Sequence, residues 1–434
     1  MTARGAAYAA LAERVNAFPD LHRLAVDRSG LADRDARLAN AIDHQATLRW
    51  LTLQSLIEPH LKQSWGGLKP VVRAALLGGS AQLLLMDRIP DHAVLNETVE
   101  WIKASSQPRA AGLVNAILRR LCDLKKDRVD NPDPDRRDIV LRSDGSGIEL
   151  KRPMLSEDPD ERLQQQCSCP ESLLDHWMRI FDASEARRLA LHGITEAPLI
   201  VTAPDTSPID DMTEAHELPG FHVVQSGHGI RDILEACPEA LVQDPASADP
   251  VRATIGLDVG CIVDLCAGRG TKTRLLAKHH PKSRVIASDI DRKLIDDLKR
   301  STEDHANVEV RAFGTFDDLL GKVDLLVLDV PCSNTAVLAR RPEARYRFTP
   351  QAVTELAGRQ RQIMADALPL LSPTGKILYS TCSLDPAENH EQAQWLVKWH
   401  RFRIESERLL MPQGLPGEPG SRYHDGSYHA LLGH

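Results

Sequence analysis

From residue 262 onward, short apolar runs alternate with stretches of helical spacing: Ile262-Val263, Val285-Ile286-Ala287, Val308 to Ala312, Leu325-Leu326-Val327-Leu328 and Ile377-Leu378-Tyr379. Runs this short and this uniformly apolar suit parallel strands covered on both faces, with the intervening helices as the covers. The pattern predicts an α/β fold, a doubly wound Rossmann-like sheet, over residues 251–434. Upstream the texture is different. Val71, Val72, Ala75 and Leu76, then Leu95, Val99 and Ile102, then Leu113, Val114, Ile117, Leu118 and Leu121 recur at helical spacing, so residues 1–124 are expected to form an all-α bundle with short connections.

Between these two regions the chain changes character. Residues 125–166 mix Asp127, Asp130, Asp133, Asp135, Asp138 and further acids with arginines, prolines and glycines, which reads as an acidic polar linker or surface excursion. Residues 167–250 read as an intermediate mixed α/β segment. At 434 residues, two or three domains are expected.

The formal net charge of −8 argues against nucleic-acid binding by bulk charge and leaves room only for a local basic face. Arg109, Arg119 and Arg120 cluster near the last helix of the bundle, a grouping more often solvated than bound. Eight cysteines lack paired metal spacing, since Cys167-Ser168-Cys169 has no second pair, and no metal is expected. No apolar run is long enough to span a bilayer and no cleavable leader is legible, so a reducing cytoplasm with free thiols is the expected setting.

The chemistry is concentrated in three places. The run Asp264-Leu265-Cys266-Ala267-Gly268-Arg269-Gly270-Thr271-Lys272-Thr273 joins a strand to a helix, and its glycines allow backbone amides to approach a ligand. Asp289, at the end of the next strand, is placed to accept ribose hydroxyls. Together they indicate a nucleoside cofactor, and both NAD and S-adenosylmethionine satisfy that geometry. Cys332, in Asp329-Val330-Pro331-Cys332, and Cys382, in Ser380-Thr381-Cys382-Ser383, then stand at the C-terminal ends of two further strands. Carbon 5 of cytosine is too electron-poor to take a methyl group until a nucleophile adds at carbon 6. A thiolate suits that role, being nucleophilic near neutral pH and able to leave again. A carboxylic acid beside ring nitrogen 3 eases the addition. Asp329, Cys332 and Cys382 supply an acid and two thiols.

These segments resemble the RsmB-type (Sun/NSUN) RNA cytosine-5 methyltransferases, which use S-adenosylmethionine. Asp264 to Thr273 resembles the family's cofactor turn, Asp329 to Ser333 its Asp-x-Pro-Cys motif, and Tyr379 to Ser383 with Pro386, Glu388 and Asn389 its Thr-Cys motif. Val242 to Ser247 resembles the segment that precedes the fold, and His424 to Leu432 the closing strand. In the helical region, Arg88 to Glu97 and Gly112 to Leu121 are similar to the NusB-like RNA-binding domain of the bacterial 16S ribosomal RNA member.

The resemblance implies that Cys382 attacks carbon 6, that Cys332 assists proton removal and product release, and that Asp329 holds nitrogen 3 and borders the cofactor. Lys272 would lie between the methionine end and the base. Cys266, Ala267, Gly268, Gly270, Lys272, Asp289 and Asp329 would contact S-adenosylmethionine, and the partner would be RNA, 16S rRNA or a small-subunit assembly intermediate. The chain departs from the family at the turn, where Arg269 and Thr271 replace a proline and a glycine. It departs again at Phe313-Gly314-Thr315, where an acid is usual, and at Ser333-Asn334-Thr335-Ala336, where a glycine-rich run is usual. Two alternative readings are a non-catalytic RNA-binding assembly factor with a decayed transferase domain and a tRNA cytosine-5 methyltransferase.

Overall fold

A computed structural model describes residues 2–87, 89–204 and 208–434; Arg88, which opens one of the NusB-like segments, lies outside them. The chain forms two compact units. The first comprises Met1–Glu196, Leu338–Thr349 and Leu415–Glu418, and the second Ala197–Val337, Pro350–Gly414 and Pro419–His434.

The first unit begins with the expected helical bundle: Ala3–Ala17, Asp33–Leu48, Trp50–Ile57, Pro70–Leu85, Asp91–Lys103 and Ala111–Leu124. Of the apolar positions singled out above, Val72, Ala75, Leu76, Leu95, Ile102, Val114, Ile117, Leu118 and Leu121 are buried, whereas Leu113 is exposed. Helix Pro70–Leu85 lies so close to its neighbours that a Cβ on Gly78 would fall 2.5 Å from the Tyr8 ring, and one on Gly79 2.8 Å from Leu118. Tyr8 in turn hydrogen-bonds Thr98, 2.7 Å away, which is why a polar residue is buried on helix Asp91–Lys103. Arg14 and Asp43 form a buried two-point ion pair, with both contacts at 2.8 Å.

Residues 125–166 are not a linker. Strands β1 (Lys125–Asp130), β2 (Ile139–Leu141) and β3 (Ser146–Leu150) form an antiparallel sheet in the order β1-β3-β2, followed by helix Pro159–Cys167. Several of the acids in this segment are paired with its basic residues. Arg136 contacts both Asp138 and Glu149 at 2.7 Å, Lys126 contacts Glu149 at 2.8 Å, and Arg128 contacts Asp144 at 3.1 Å. Beneath this charged face Val140, Ile148 and Leu150 join the core of the bundle. Residues 167–250 also divide differently from the expectation: helices Glu171–Ile180 and Ala183–His192 belong to the first unit, and the part from Ala197 to residue 250 belongs to the second.

The second unit holds two sheets. Strands β4 (Ile200–Thr202), β5 (Thr213–Ala215), β6 (Phe221–Val224) and β7 (Leu241–Val242) form a small antiparallel sheet ordered β5-β6-β4-β7. The larger sheet contains β8 (Cys261–Asp264), β9 (Arg284–Ala287), β10 (Val308–Val310), β11 (Val323–Asp329), β12 (Leu371–Thr381), β13 (Arg403–Leu410) and β14 (Ser427–Gly433). Its order is β10-β9-β8-β11-β12-β14-β13. The first five positions are parallel, and β14 inserts antiparallel between β12 and β13. The chain starts at β8, winds outward through β9 and β10, then returns to wind the other way through β11 and β12. The reversal lies between β8 and β11, where open α/β sheets bind ligands beyond the strand C-termini. Among the described residues, no helix is long and apolar enough to cross a membrane.

Removing one member of a buried ion pair strands the other charge, at a cost of about 3–5 kcal/mol. Asp43→Ala is therefore expected to lower the urea midpoint of the full chain substantially. A midpoint within error of wild type would show that Arg14 finds other compensation.

Candidate active site

The predicted residues converge at that reversal. β8 ends at Asp264, and the chain turns through residues 265–270 into helix Thr271–His279. The turn is tied to the end of β9 by Ala267 N–H donating to the Ser288 carbonyl (3.0 Å) and Gly268 N–H donating to the Asp289 carboxylate (2.9 Å). Gly268 and Gly270 both have positive φ, 57° and 85°, a conformation that disfavours other residues. The two glycines face different surroundings. A Cβ on Gly270 would meet Ser301 and Leu298 within 2.8 Å, whereas one on Gly268 would meet nothing within 4 Å, leaving the space an approaching ligand needs. Arg269, where the resembling family has proline, points outward with its side chain 64% exposed and pairs with Asp297. It does not crowd the turn.

These groups fit S-adenosylmethionine. Each Asp289 oxygen accepts one backbone N–H, from Gly268 or from Asp291, and keeps a lone pair for a ribose hydroxyl. Ile290 beside it is 75% exposed, an apolar surface at the edge of the cradle. Inside the turn, Asp264 accepts from Thr273 Oγ1 at 2.7 Å, while its second oxygen is buried without a protein partner. Burial, opposed by the Thr273 hydrogen bond and assisted by the nearby Asp329 charge, pushes the Asp264 carboxyl up to about 7. Cys266 is also raised by burial, with Asp264 next in effect, so it is an inert thiol beside the turn.

Lys272, in the first turn of the helix, reaches across to β11, where its Nζ lies 2.7 Å from Asp329 Oδ2. Burial lowers the ammonium's pKa, but the charge and hydrogen bond of Asp329, with Cys382 and Asp264, more than reverse this and leave it raised. The other oxygen of Asp329 accepts from Ser380 Oγ, 2.9 Å away on β12. Asp329 is thus clamped between the cofactor helix and the neighbouring strand.

The two thiols follow from the same pairing. Asp329 lies opposite Ser380 in the β11–β12 register, so the chain segments beyond each strand begin side by side. Cys332 and Cys382, one on each, come to 3.2 Å between sulfurs. Cys332 is 8% exposed, and Cys382 is partly exposed. The hydrogen bond to Cys382, then burial and the nearby Glu388, hold the Cys332 thiol pKa well above its ordinary value. Asn334 contacts both cysteines. Its amide nitrogen donates to the Cys332 carbonyl at 2.8 Å, and its oxygen accepts from Cys382 Sγ at 3.2 Å.

Glu388 was legible only as a motif position, and the structure gives it a task. Fully buried, it accepts from Ser333 N–H (2.9 Å), Ser333 Oγ (2.5 Å), Ser383 Oγ (2.5 Å) and Gln360 Nε2 (3.1 Å). It therefore joins the residue after Cys332 to the residue after Cys382. Asn389 braces the second loop by accepting from Thr381 Oγ1 and donating to the Ser383 carbonyl. Asp264, Glu388, Gln360 and Ser380 are the supporting residues that motif reading did not assign. Ser or Gln at isolated positions carries no signal until the loops are folded together.

Residues 257–423 match the family described as 16S rRNA methyltransferase RsmB/F, and residues 1–123 match the NusB family. The ribosomal RNA small subunit methyltransferase B of Vibrio cholerae is 29% identical over 451 residues, covering 100% of this chain and 97% of that protein. The protein of the same name from Yersinia enterocolitica is 27% identical, covering 93% of this chain and 92% of its own length. The crystal structure of PH0851 superposes with a TM-score of 0.71 at 18% identity, covering 100% of this chain and 99% of that one, and shows the same fold.

The raised Asp264 pKa has a definite consequence for stability. Between the ordinary value of 3.8 and about 7, the folded state holds a proton that the unfolded state releases. Stability from this group is therefore full below about pH 4 and is lost as pH rises through 7, by up to about 1.4 kcal/mol per pH unit. Asp264→Asn is expected to flatten that dependence and to be the more stable form above pH 7 in urea titrations. An unchanged slope from pH 5 to 8 would remove Asp264 as its source.

Proposed function

From a chain that carries a methyltransferase domain of the RsmB/F family behind a domain of the NusB family, we infer that it methylates carbon 5 of a cytosine in 16S ribosomal RNA through a covalent cysteine–cytosine intermediate. The observation that carries this reading is the pair of thiols 3.2 Å apart beside the Lys272–Asp329 ion pair. A methyl transfer to oxygen or to an exocyclic amine has no use for two sulfurs, whereas cytosine carbon 5 needs one to attack and one to help undo the attack. The names of the similar proteins, together with the NusB-family domain, support ribosomal RNA as the substrate.

The roles divide by environment. Cys332 is buried and Cys382 is the more accessible sulfur, so Cys382 is the one that meets the base and bonds to carbon 6. The 5,6 electron pair shifts through carbon 4 onto ring nitrogen 3, and the proton that Cys382 gives up ends on that nitrogen, carried by the Asp329 carboxyl. Lys272 keeps the Asp329 carboxylate oriented from the cofactor side. Cys266, Ala267, Gly268, Gly270, Lys272, Asp289 and Asp329 would hold S-adenosylmethionine, which when bound supplies the methyl group for carbon 5. Loss of the carbon 5 proton then returns the electron pair to the 5,6 bond as the sulfur–carbon bond breaks. Cys332, in contact with Cys382, assists that proton removal and release. The target base must leave its stack to reach this depth, which favours a loop or an assembly intermediate as substrate.

Incubation of rRNA with the enzyme and labelled S-adenosylmethionine is expected to give 5-methylcytosine by mass spectrometry of nucleosides. Its absence from every rRNA preparation tried would overturn the reading. Cys332→Ala is expected to accumulate a protein–RNA adduct stable on denaturing gels, and Cys382→Ala to form none. The reverse pattern would exchange the two cysteines.

A further inference from the structure

The run Lys398-Trp399-His400-Arg401-Phe402-Arg403 joins the end of helix His390–His400 to β13. Its residues divide between core and solvent. Arg401, with φ +62°, ends the helix in the left-handed region, and the next residue, Phe402, enters the core at 3% exposure. His400 folds back against the Trp395 ring, with 4.7 Å between centroids. Lys398, Trp399, Arg401 and Arg403 are left outside, on a backbone that these two inward contacts anchor.

What stays outside differs from the surface around it. Of the six tryptophans, Trp399 alone is exposed, at 63%. Lys398 Nζ lies 5.0 Å from the centre of its ring, a weak contact at an exposed site that leaves most of the indole open. Charged residues farther along β13 are paired, Glu405 with Lys376, Glu407 with His390 and Arg408 with Asp249. Among the described residues, Lys398, Arg401 and Arg403 have no ion pair, in a chain whose net charge is −8. The helix dipole favours cations at a helix C-terminus, which accounts for Lys398 and Arg401. It gives no reason for the open indole, nor for Arg403 on β13.

We propose that this patch is a docking surface for single-stranded RNA: an unpaired base stacks on Trp399, and the flanking phosphates meet Lys398, Arg401 and Arg403. RNA has a use for both features, whereas an acidic peptide engages the cations and leaves the ring idle. The inference rests on the ribosomal RNA reading and adds a second contact for that substrate. Along the sheet, Thr381 of β12 pairs with Tyr428 and Ile377 with Leu432, while Arg403 of β13 pairs with Gly433. The patch therefore lies at the end of the sheet away from the thiols. It holds RNA at a distance from the base being modified and governs affinity, with no part in the chemistry.

The test is filter binding of labelled 16S rRNA transcript to the full-length protein over a series of KCl concentrations. Trp399→Ala is expected to weaken binding about fivefold or more, and Trp399→Phe to recover most of that loss. Combined Lys398→Gln, Arg401→Asn and Arg403→Gln, with asparagine chosen to suit the left-handed backbone, is expected to lower the slope of log affinity against log salt by about two. Urea midpoints are expected to match wild type, and in methyl transfer KM for RNA is expected to rise with kcat unchanged. Affinity and salt slope equal to wild type in these variants would overturn the proposal. So would equal losses with alanine and phenylalanine, or a urea midpoint that falls together with affinity, since that marks a damaged fold. If the wild type binds rRNA and yields no 5-methylcytosine, the cytosine reading fails while the affinities of the variants still decide the patch. A wild type that binds no rRNA overturns both.

Discussion

The geometry of the active site depends on one buried carboxyl. Glu388 has no exposure and gathers four donors from three parts of the chain: the backbone and hydroxyl of Ser333, the hydroxyl of Ser383 and the amide of Gln360. A carboxyl in this position would be expensive if any of these were missing, and burial indeed drives its pKa up despite the serine hydrogen bonds. Filled, it fastens the residues that follow the two cysteines to one point. The two backbone segments that carry the sulfurs are thereby held together by a buried contact.

The rest of the site is built outward from that fastening along the sheet. β11 and β12 are adjacent and parallel, so Asp329 and Ser380 end level with one another, and their side chains meet. β8 lies on the other side of β11, so the helix that leaves its turn can send Lys272 to the same carboxylate. Cofactor cradle, acid and thiols are thus contributed by three neighbouring strands on the two sides of the topological reversal. The first unit solves a comparable problem with arginines. Arg49 and Arg345 are fully buried and donate to backbone carbonyls of Leu141, Gln166, Cys167 and Gly193. In this way segments from outside the N-terminal helical bundle, including 338–349, are built into its interior.

Much of this was legible beforehand, for reasons that differ by region. The strands of the large sheet are buried on both faces, which leaves continuous apolar runs that need no tertiary information to recognise. The helices of the bundle announce themselves by spacing, with Leu113 as an exception on an exposed turn. The segment 125–166 misled because a strand pair with one face of paired charges has the composition of a linker. Arg136 reaches Glu149, 13 residues along the chain, and Val140 lies opposite Ile148 across the β2–β3 pairing with both in the core. Composition averages over such pairings.

The amino-acid sequence by itself determined the fold class, a helical region followed by a doubly wound sheet, and marked out the candidate site residues. Burial periodicity and short contiguous motifs are local properties, and Asp329, Cys332, Cys382, Lys272 and Asp289 each sit in one. Tertiary structure alone decided the relations among them. Arg269 was found turned toward Asp297, Gly268 open and Gly270 enclosed, and the two sulfurs in contact. The asparagine that reaches a carbonyl two residues away and a sulfur 48 positions along the chain also emerged only from the fold. Hydrogen-bond direction is a property of the partners a group meets, and a sequence does not contain its own contacts.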